Sequence, residues 1–330
     1  MEKYHSKLDL IQTEKAIKLV KDTFEKKLAQ KLHLIRVSGP LFVYNNTGLN
    51  DDLSGKEDPV TFHLVNDSEE VSIVQSLAKW KRYALNKYQF SVDHGLYTDM
   101  NAVRKNEVLD ALHSAYVDQW DWEKIITRNQ RNKTYLKSTV NKIYQALLSC
   151  EKILLKNYPM LESFLPEKIF FITTKELEKL YPNKTSKERE YLITKEHKAV
   201  FLMEIGNRLP ISKQVHDFRA PDYDDWKLNG DLLIYYPLID NVIELSSMGI
   251  RVDEKSLKKQ LVLANQEYKE KLFYHQLLLN NKLPLTIGGG IGQSRICMFL
   301  LNKIHIGEVQ ASIWPKKQLE ELEKKGVNIL

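Results

Sequence analysis

The run Gly288-Gly289-Gly290-Ile291-Gly292-Gln293-Ser294-Arg295 constrains this chain more than any other stretch. Glycines packed this densely let a backbone approach a ligand closely or open a helix tightly. The apolar residues 296–301 that follow predict such a helix. Its first turn would offer free N–H groups to an anion. Arg295, inside that turn, adds a permanent planar charge suited to phosphate or to stacking on a base. Two common glycine motifs do not fit. A dinucleotide fingerprint needs a strand–helix–strand unit with an acid about 20 residues on, and no such unit follows Arg295. A P-loop needs Gly-Lys-Ser/Thr, and here Gly292 is followed by Gln293. The plain alternative is a glycine turn before a buried helix.

Hydrophobic spacing sets the fold class. Ile17, Val20, Phe24, Leu28 and Leu32 recur at three and four residues, which predicts one apolar helix face. A β-like run at 34–37 ends at Pro40. Further helices are expected over 138–156 and, as one long element, over 255–279. Thr173 with Glu176, and Thr185 with Glu188, have capping-box spacing. Strands are expected at 169–173, 200–205, 232–236 and 242–245. Strands joined by short turns, with helices inserted between them, indicate an α+β fold on an antiparallel sheet; regular strand–helix alternation is missing. No repeat or Pro/Gly linker divides residues 1–330, which read as a single domain.

A second chemical signal lies upstream, in Asp231 and Glu244. If the intervening turn centres on Pro237 and Leu238, these acids face each other across a hairpin. Like charges directly opposite repel, and a cation with a taste for oxygen ligands, such as magnesium, would relieve that. If the turn centres on Asp240 and Asn241, the pairing fails. The plain reading is one surface acid plus one buried partner.

Composition narrows the function classes. No apolar run approaches the roughly 20 residues needed to cross a bilayer, and the first residues lack the apolar core of a signal peptide; a cytoplasmic address with no membrane partner is the expectation. Two cysteines, Cys150 and Cys297, exclude a disulfide framework or a cysteine-rich zinc site. The net charge of +6 is spread over interleaved Lys and Glu, which suggests a solvated surface and no nucleic-acid partner.

Together these residues resemble a family. Gly290-Ile291-Gly292-Gln293-Ser294-Arg295 resembles motif 3 of class II aminoacyl-tRNA synthetases, whose arginine holds ATP. Glu244-Leu245-Ser246-Ser247-Met248-Gly249-Ile250-Arg251 is similar to the metal-binding strand of the aspartate and asparagine synthetases. Residues 34–40 resemble motif 1, the dimer-forming element, which implies a homodimer; the apolar helix face before it could equally be intramolecular core. Arg104 with 112–123 resembles motif 2, where an arginine meets the α-phosphate. Asp52-Leu53-Ser54-Gly55, residues 75–82, 117–123 and Arg219-Ala220-Pro221-Asp222-Tyr223-Asp224-Asp225-Trp226 narrow the likeness to ammonia-dependent asparagine synthetase, with Gln75 standing where that family suggests His.

The resemblance implies an enzyme that joins L-aspartate and ammonia at the expense of ATP, with Mg2+, through a β-aspartyl-AMP intermediate. It implies ATP contacts from Arg104, His113, Asp231, Glu244, Ser246, Gly292 and Arg295, with Asp231 and Glu244 holding the metal. Lys81, with Ser76 or Ser247, would take the aspartate α-carboxylate, and Asp51 its ammonium group. Gln119 and Asp121 alternate on one strand face, so both can enter the pocket. Asp121 or Asp224 would attract ammonium and take its proton. Trp80, Trp120 and Trp122 read as packing. A glutaminase is not expected, since Met1-Glu2 offers no N-terminal cysteine. A true tRNA synthetase would need an anticodon-binding domain, for which the sequence leaves no room. A catalytically dead relative would be expected to lose Arg104, Glu244 or Arg295, and all three are present.

Overall fold

A computed structural model describes residues 4–51, 53 and 57–330; Asp52, Ser54 and Gly55 of the resemblance lie outside them. The chain opens with α1 (Leu10–Leu32), whose Asp9 cap accepts from the Gln12 N–H. Its expected stripe from Ile17 to Leu32 is buried within this chain, against α3 and the sheet. The apolar face is therefore intramolecular core. Then come β1 (Leu34–Arg36), β2 (Phe42–Tyr44), β3 (Thr61–His63), β4 (Glu70–Ile73), α2 (Ala78–Lys87), β5 (Gly95–Val103) and β6 (Tyr116–Ile125). Helix α3 (Lys133–Asn157) starts before the expected 138 because the Asn132 side chain caps it, accepting from the Tyr135 N–H at 2.9 Å.

The second half contains β7 (Phe170–Thr173), α4 (Thr174–Leu180), α5 (Ser186–His197), β8 (Ala199–Met203), β9 (Asp224–Tyr236) and β10 (Asn241–Arg251). Both predicted capping boxes form, at Thr173/Glu176 and Thr185/Glu188. The expected long helix over 255–279 is broken into α6 (Glu254–Leu263) and α7 (Phe273–Leu279), with Asn265 at φ 54° and a 3-10 turn between. The break exposes Tyr268 and buries Lys269 beside Asp222; an uninterrupted stripe would have done the reverse. The chain closes with β11 (Thr286–Gly292), α8 (Gln293–Leu300) and α9 (Lys316–Lys325).

Among the described residues the main sheet has the order β1-β5-β6-β11-β10-β9-β8-β7. It is antiparallel through its centre, as expected, but each edge carries a parallel pair, β1 with β5 and β7 with β8. Strands β2, β4 and β3 form a separate small sheet. Alternation along β6 gives the main sheet two different faces. Trp120 and Trp122 point into the core, with the Trp120 ring 4.8 Å from that of Phe24 of α1 and tilted by 40°. Gln119 and Asp121 point the other way, where α2 covers part of the sheet.

Candidate active site

The face opposite the tryptophans carries a cleft of about 420 Å3, within the size range of ordinary small-molecule sites. Its wall collects Asp51, Ser76, Lys81, Arg104, His113, Gln119, Asp121, Asp224, Glu244, Ser246, Ser247, Gly292 and Arg295. Of the residues singled out from sequence, Asp231 alone does not line it. Asp231 is buried and touches the cleft through Arg219, which does line it.

The glycines do not form a turn. Gly288 to Gly292 are a strand, β11, between β6 and β10. A Cβ at Gly288 would sit 1.9 Å from Glu123 Oε2, and one at Gly290 2.3 Å from Gln119 Oε1. The missing side chains thus make room for long polar ones from the next strand to lie across the sheet. One N–H at the start of α8 is already taken: the Ser294 N–H donates to Asp118 Oδ1 at 3.0 Å. Arg295 is in the first turn, as expected, and donates to the Glu244 carbonyl at 2.9 Å.

The hairpin before it takes neither expected register. A 3-10 turn, Pro237–Ile239, with Asp240 in the left-handed region, closes on the pair Tyr236/Asn241. That turn sets Glu244 opposite Leu233, and a bulge at Leu245 then shifts the register so that Ser247 stands opposite Asp231. Asp231 and Glu244 are therefore diagonal neighbours on one face, close enough for Glu244 and burial to raise the Asp231 pKa. The cation between them is Arg219, whose guanidinium binds Asp231 Oδ2 and feels both carboxylates. Asp231 Oδ1 has no hydrogen-bond partner. Among the described residues no cluster of three or more His, Cys, Asp or Glu could hold a metal.

Lys81 is a fully buried lysine, excluding a surface role. Its ammonium binds Asp121 Oδ1 and donates to the Gly289 carbonyl at 2.9 Å. Burial lowers its pKa, and Asp121 opposes that. Asp121 Oδ2 remains without a partner. Beside this pair, Arg251 is held by Glu123, with Nη2 at 2.8 Å from Oε2, and by Asp224 Oδ1 at 2.5 Å. Burial raises the Asp224 pKa against the pull of Arg251.

Arg104 follows β5, and its N–H extends the ladder to the Ala115 carbonyl at 2.8 Å. Its nearest acid, Glu107, is 3.9 Å away, and its Nε is buried without a partner, so this guanidinium retains donors for a ligand. His113 stands half-exposed at the mouth, 2.9 Å from Asp110. Ser246 Oγ donates to the Gly290 carbonyl at 2.9 Å, and Ser76 Oγ accepts from the Ala78 N–H at 3.1 Å. The Gln75 side chain is buried in the same wall with Oε1 unpartnered.

Sequence reasoning assigned nothing to Arg219, Arg251, Glu123 or Asp118. The one available signal was glycine: a Cβ at Gly249 would meet Asp224 Oδ1 at 2.7 Å, as one at Gly288 meets Glu123. Strand glycines marked where neighbouring carboxylates cross.

The fold is that of the class II synthetases. The structure is similar to asparaginyl-tRNA synthetase from Entamoeba histolytica in complex with asparaginyl-adenylate, at TM-score 0.66 and 14% identity, covering 91% of this chain and 66% of that one. Asparaginyl-tRNA synthetase from Pyrococcus horikoshii complexed with asparaginyl-adenylate also gives TM-score 0.66 and 14% identity, covering 92% of this chain and 70% of that one. In sequence the chain is 58% identical over 328 residues to an aspartate–ammonia ligase of Clostridium tetani, covering 99% of this chain and 96% of the relative. It is 56% identical over 327 residues to one of Fusobacterium nucleatum, covering 99% of each. The family model described as aspartate-ammonia ligase matches residues 11–326. This chain belongs to the aspartate–ammonia ligase family.

Proposed function

We propose that the cleft makes L-asparagine from L-aspartate, ammonia and ATP by way of β-aspartyl-AMP, releasing AMP and pyrophosphate. The observation that carries this reading is the gathering, in one cleft, of the two phosphate-suited arginines Arg104 and Arg295 beside the buried Lys81–Asp121 pair. A side-chain carboxylate is inert to ammonia, since its charge repels a lone pair and its oxygen leaves poorly. Transfer of the adenylyl group to that oxygen cures both faults. The chain must therefore neutralise phosphate charge and align two anions.

Arg104, with open donors, meets the α-phosphate where charge accumulates during carboxylate attack. Arg295 grips the nucleotide from the first turn of α8. Lys81 has its charge partly matched by Asp121, so it receives the aspartate α-carboxylate with Ser76 or Ser247 alongside, and Asp51 takes the α-ammonium. His113, Ser246 and Gly292 border the nucleotide. In the second step ammonium is drawn to a carboxylate, loses a proton to it, and attacks the acyl carbon; the C–O bond breaks and AMP leaves. Asp121, with Oδ2 free of hydrogen bonds, and Asp224 are the two candidates for that proton.

Asp231 Oδ1, unpartnered and buried, and the Glu244 carboxylate fit a magnesium ion, which takes one or two carboxylates and completes its shell with water and phosphate oxygens. Bound there it supplies Lewis-acid charge to the phosphates. Homodimer formation through the motif 1 segment is supported by Ile35, 60% exposed on the edge strand β1, and by Leu41, 53% exposed just before β2.

The test is pyrophosphate exchange into ATP with aspartate and no tRNA, followed by addition of ammonia. Exchange followed by asparagine release is expected. Exchange without asparagine would instead indicate a synthetase, and no exchange at all would indicate a relative that has lost catalysis.

A further inference from the structure

Residues 216–222 bring Arg219 to the cleft, yet among the described residues they make no backbone-to-backbone hydrogen bond. Side chains hold the segment instead. Gln260 Nε2 donates to the Pro221 carbonyl at 3.0 Å and to the Asp224 carbonyl at 2.9 Å, and Trp226 Nε1 donates to the Ala220 carbonyl at 3.3 Å. Asp222 is the segment's fully buried carboxylate, 0% exposed. Its Oδ2 accepts from Lys79 Nζ at 3.0 Å, and it lies 2.9 Å from His275 Nε2 and 3.6 Å from Lys269 Nζ. None of these four residues lines the cleft.

Lys79 and Lys81 both belong to α2, and helix positions two apart face different ways. Lys79 reaches Asp222, while Lys81 reaches Asp121. One side of α2 is thus tied to the segment carrying Arg219 and leading into Asp224, and the other to the strand carrying Gln119 and Asp121. Lys269 and His275 brace the same carboxylate from beyond α6 and from α7.

We infer that Asp222 is a positioning residue: through Lys79 it fixes the separation between Lys81 on α2 and the Arg219–Asp224 segment, and so sets the fit of the amino acid between them. The inference rests on the ligase reading above and adds a group that touches no substrate. Arg104 and Arg295, which grip the nucleotide, are not contacted by this cluster, and the Asp231–Glu244 pair is reached from it only through Arg219, so the larger effect falls on aspartate.

The test compares the full-length protein with Asp222→Asn, with the charge-balanced Asp222→Asn/Lys79→Met, and with His275→Ala, which strands no charge. Melting temperature, kcat, and KM for aspartate and for ATP are read for each, with aspartate affinity by calorimetry. Loss of this clamp is expected to raise aspartate KM and Kd about tenfold in the Asp222 variants and about threefold in His275→Ala, leaving ATP KM within about twofold, since displacements near an ångström carry effects of this order or larger. A purely structural role predicts lower melting temperatures with both KM values unchanged. Unchanged aspartate KM and Kd in the double variant and in His275→Ala overturn the inference. Parent protein that binds aspartate but makes no asparagine overturns the ligase reading instead, and the calorimetric comparison still decides the role of Asp222.

Discussion

Gly288→Ala tests the claim that the glycine strand exists to let polar side chains cross it. An alanine Cβ would stand 1.9 Å from Glu123 Oε2, 2.5 Å from Glu123 Cδ and 2.7 Å from the Trp122 carbonyl. The backbone oxygen belongs to the neighbouring strand and has little freedom, and the Glu123 carboxylate must retreat by about 1.5 Å to restore ordinary contact. That forfeits its bonds to Arg251, at 2.8 Å from Nη2 and 3.1 Å from Nε. Glu123 and Arg251 are both buried, and breaking a buried pair costs about 3–5 kcal/mol. With an unfolding entropy of about 2.1 cal/mol/K per residue, a 330-residue chain should lose about 4–7 °C in melting temperature. The assay is thermal unfolding of Gly288→Ala, Glu123→Gln and the double variant. If the damage runs through Glu123, the two changes are strongly non-additive. A Gly288→Ala protein within about 0.5 kcal/mol of the parent, or strict additivity, refutes the reasoning. Gly292→Ala is the internal control, because its nearest contact is the Arg295 side chain at 3.3 Å.

Arg104→Ala should reduce pyrophosphate exchange about 10²–10³-fold while leaving the melting temperature unchanged, because the side chain is partly exposed and only 3.9 Å pairing with Glu107 is lost; unchanged exchange removes it from the mechanism. Glu244→Ala should raise the magnesium concentration needed for half-maximal activity, and an unaltered titration refutes the metal assignment. Asp231 has its pKa raised to about 7 by burial and by Glu244. The folded state therefore holds this proton more tightly, and the resulting stability is fully present below the ordinary carboxylate pKa and lost as pH rises through about 7. Asp231→Asn should flatten the decline of melting temperature over that window, and a slope identical to the parent's contradicts the shift.

Local rules were legible where local physics decides. The α1 stripe, both capping boxes and the outward Gln119/Asp121 alternation depend on spacings of four residues or fewer, and the structure has them. Long-range partners decided the rest. The break between α6 and α7 follows the burial of Lys269 beside Asp222, which no helical period foretells. The hairpin register was set by a 3-10 turn at Pro237–Ile239, which matches neither expected centre, and shifted again at a bulge at Leu245, backbone events without a residue signature here. The β11 glycines read as a ligand-facing stretch opening a helix, and not as a strand, because their reason, carboxylate and amide groups from β6, lies more than a hundred and fifty positions earlier in the chain. Likewise Arg219 looked like one residue of a block until its partner Asp231 was seen beside Glu244.

The most direct test is to supply L-aspartate labelled with 18O in its side-chain carboxylate, together with ATP, magnesium and ammonia, and to weigh the nucleotide product. If that carboxylate attacks the α-phosphorus and ammonia later breaks the C–O bond, AMP must carry one labelled oxygen and pyrophosphate none. Unlabelled AMP, or ADP in its place, would contradict the account.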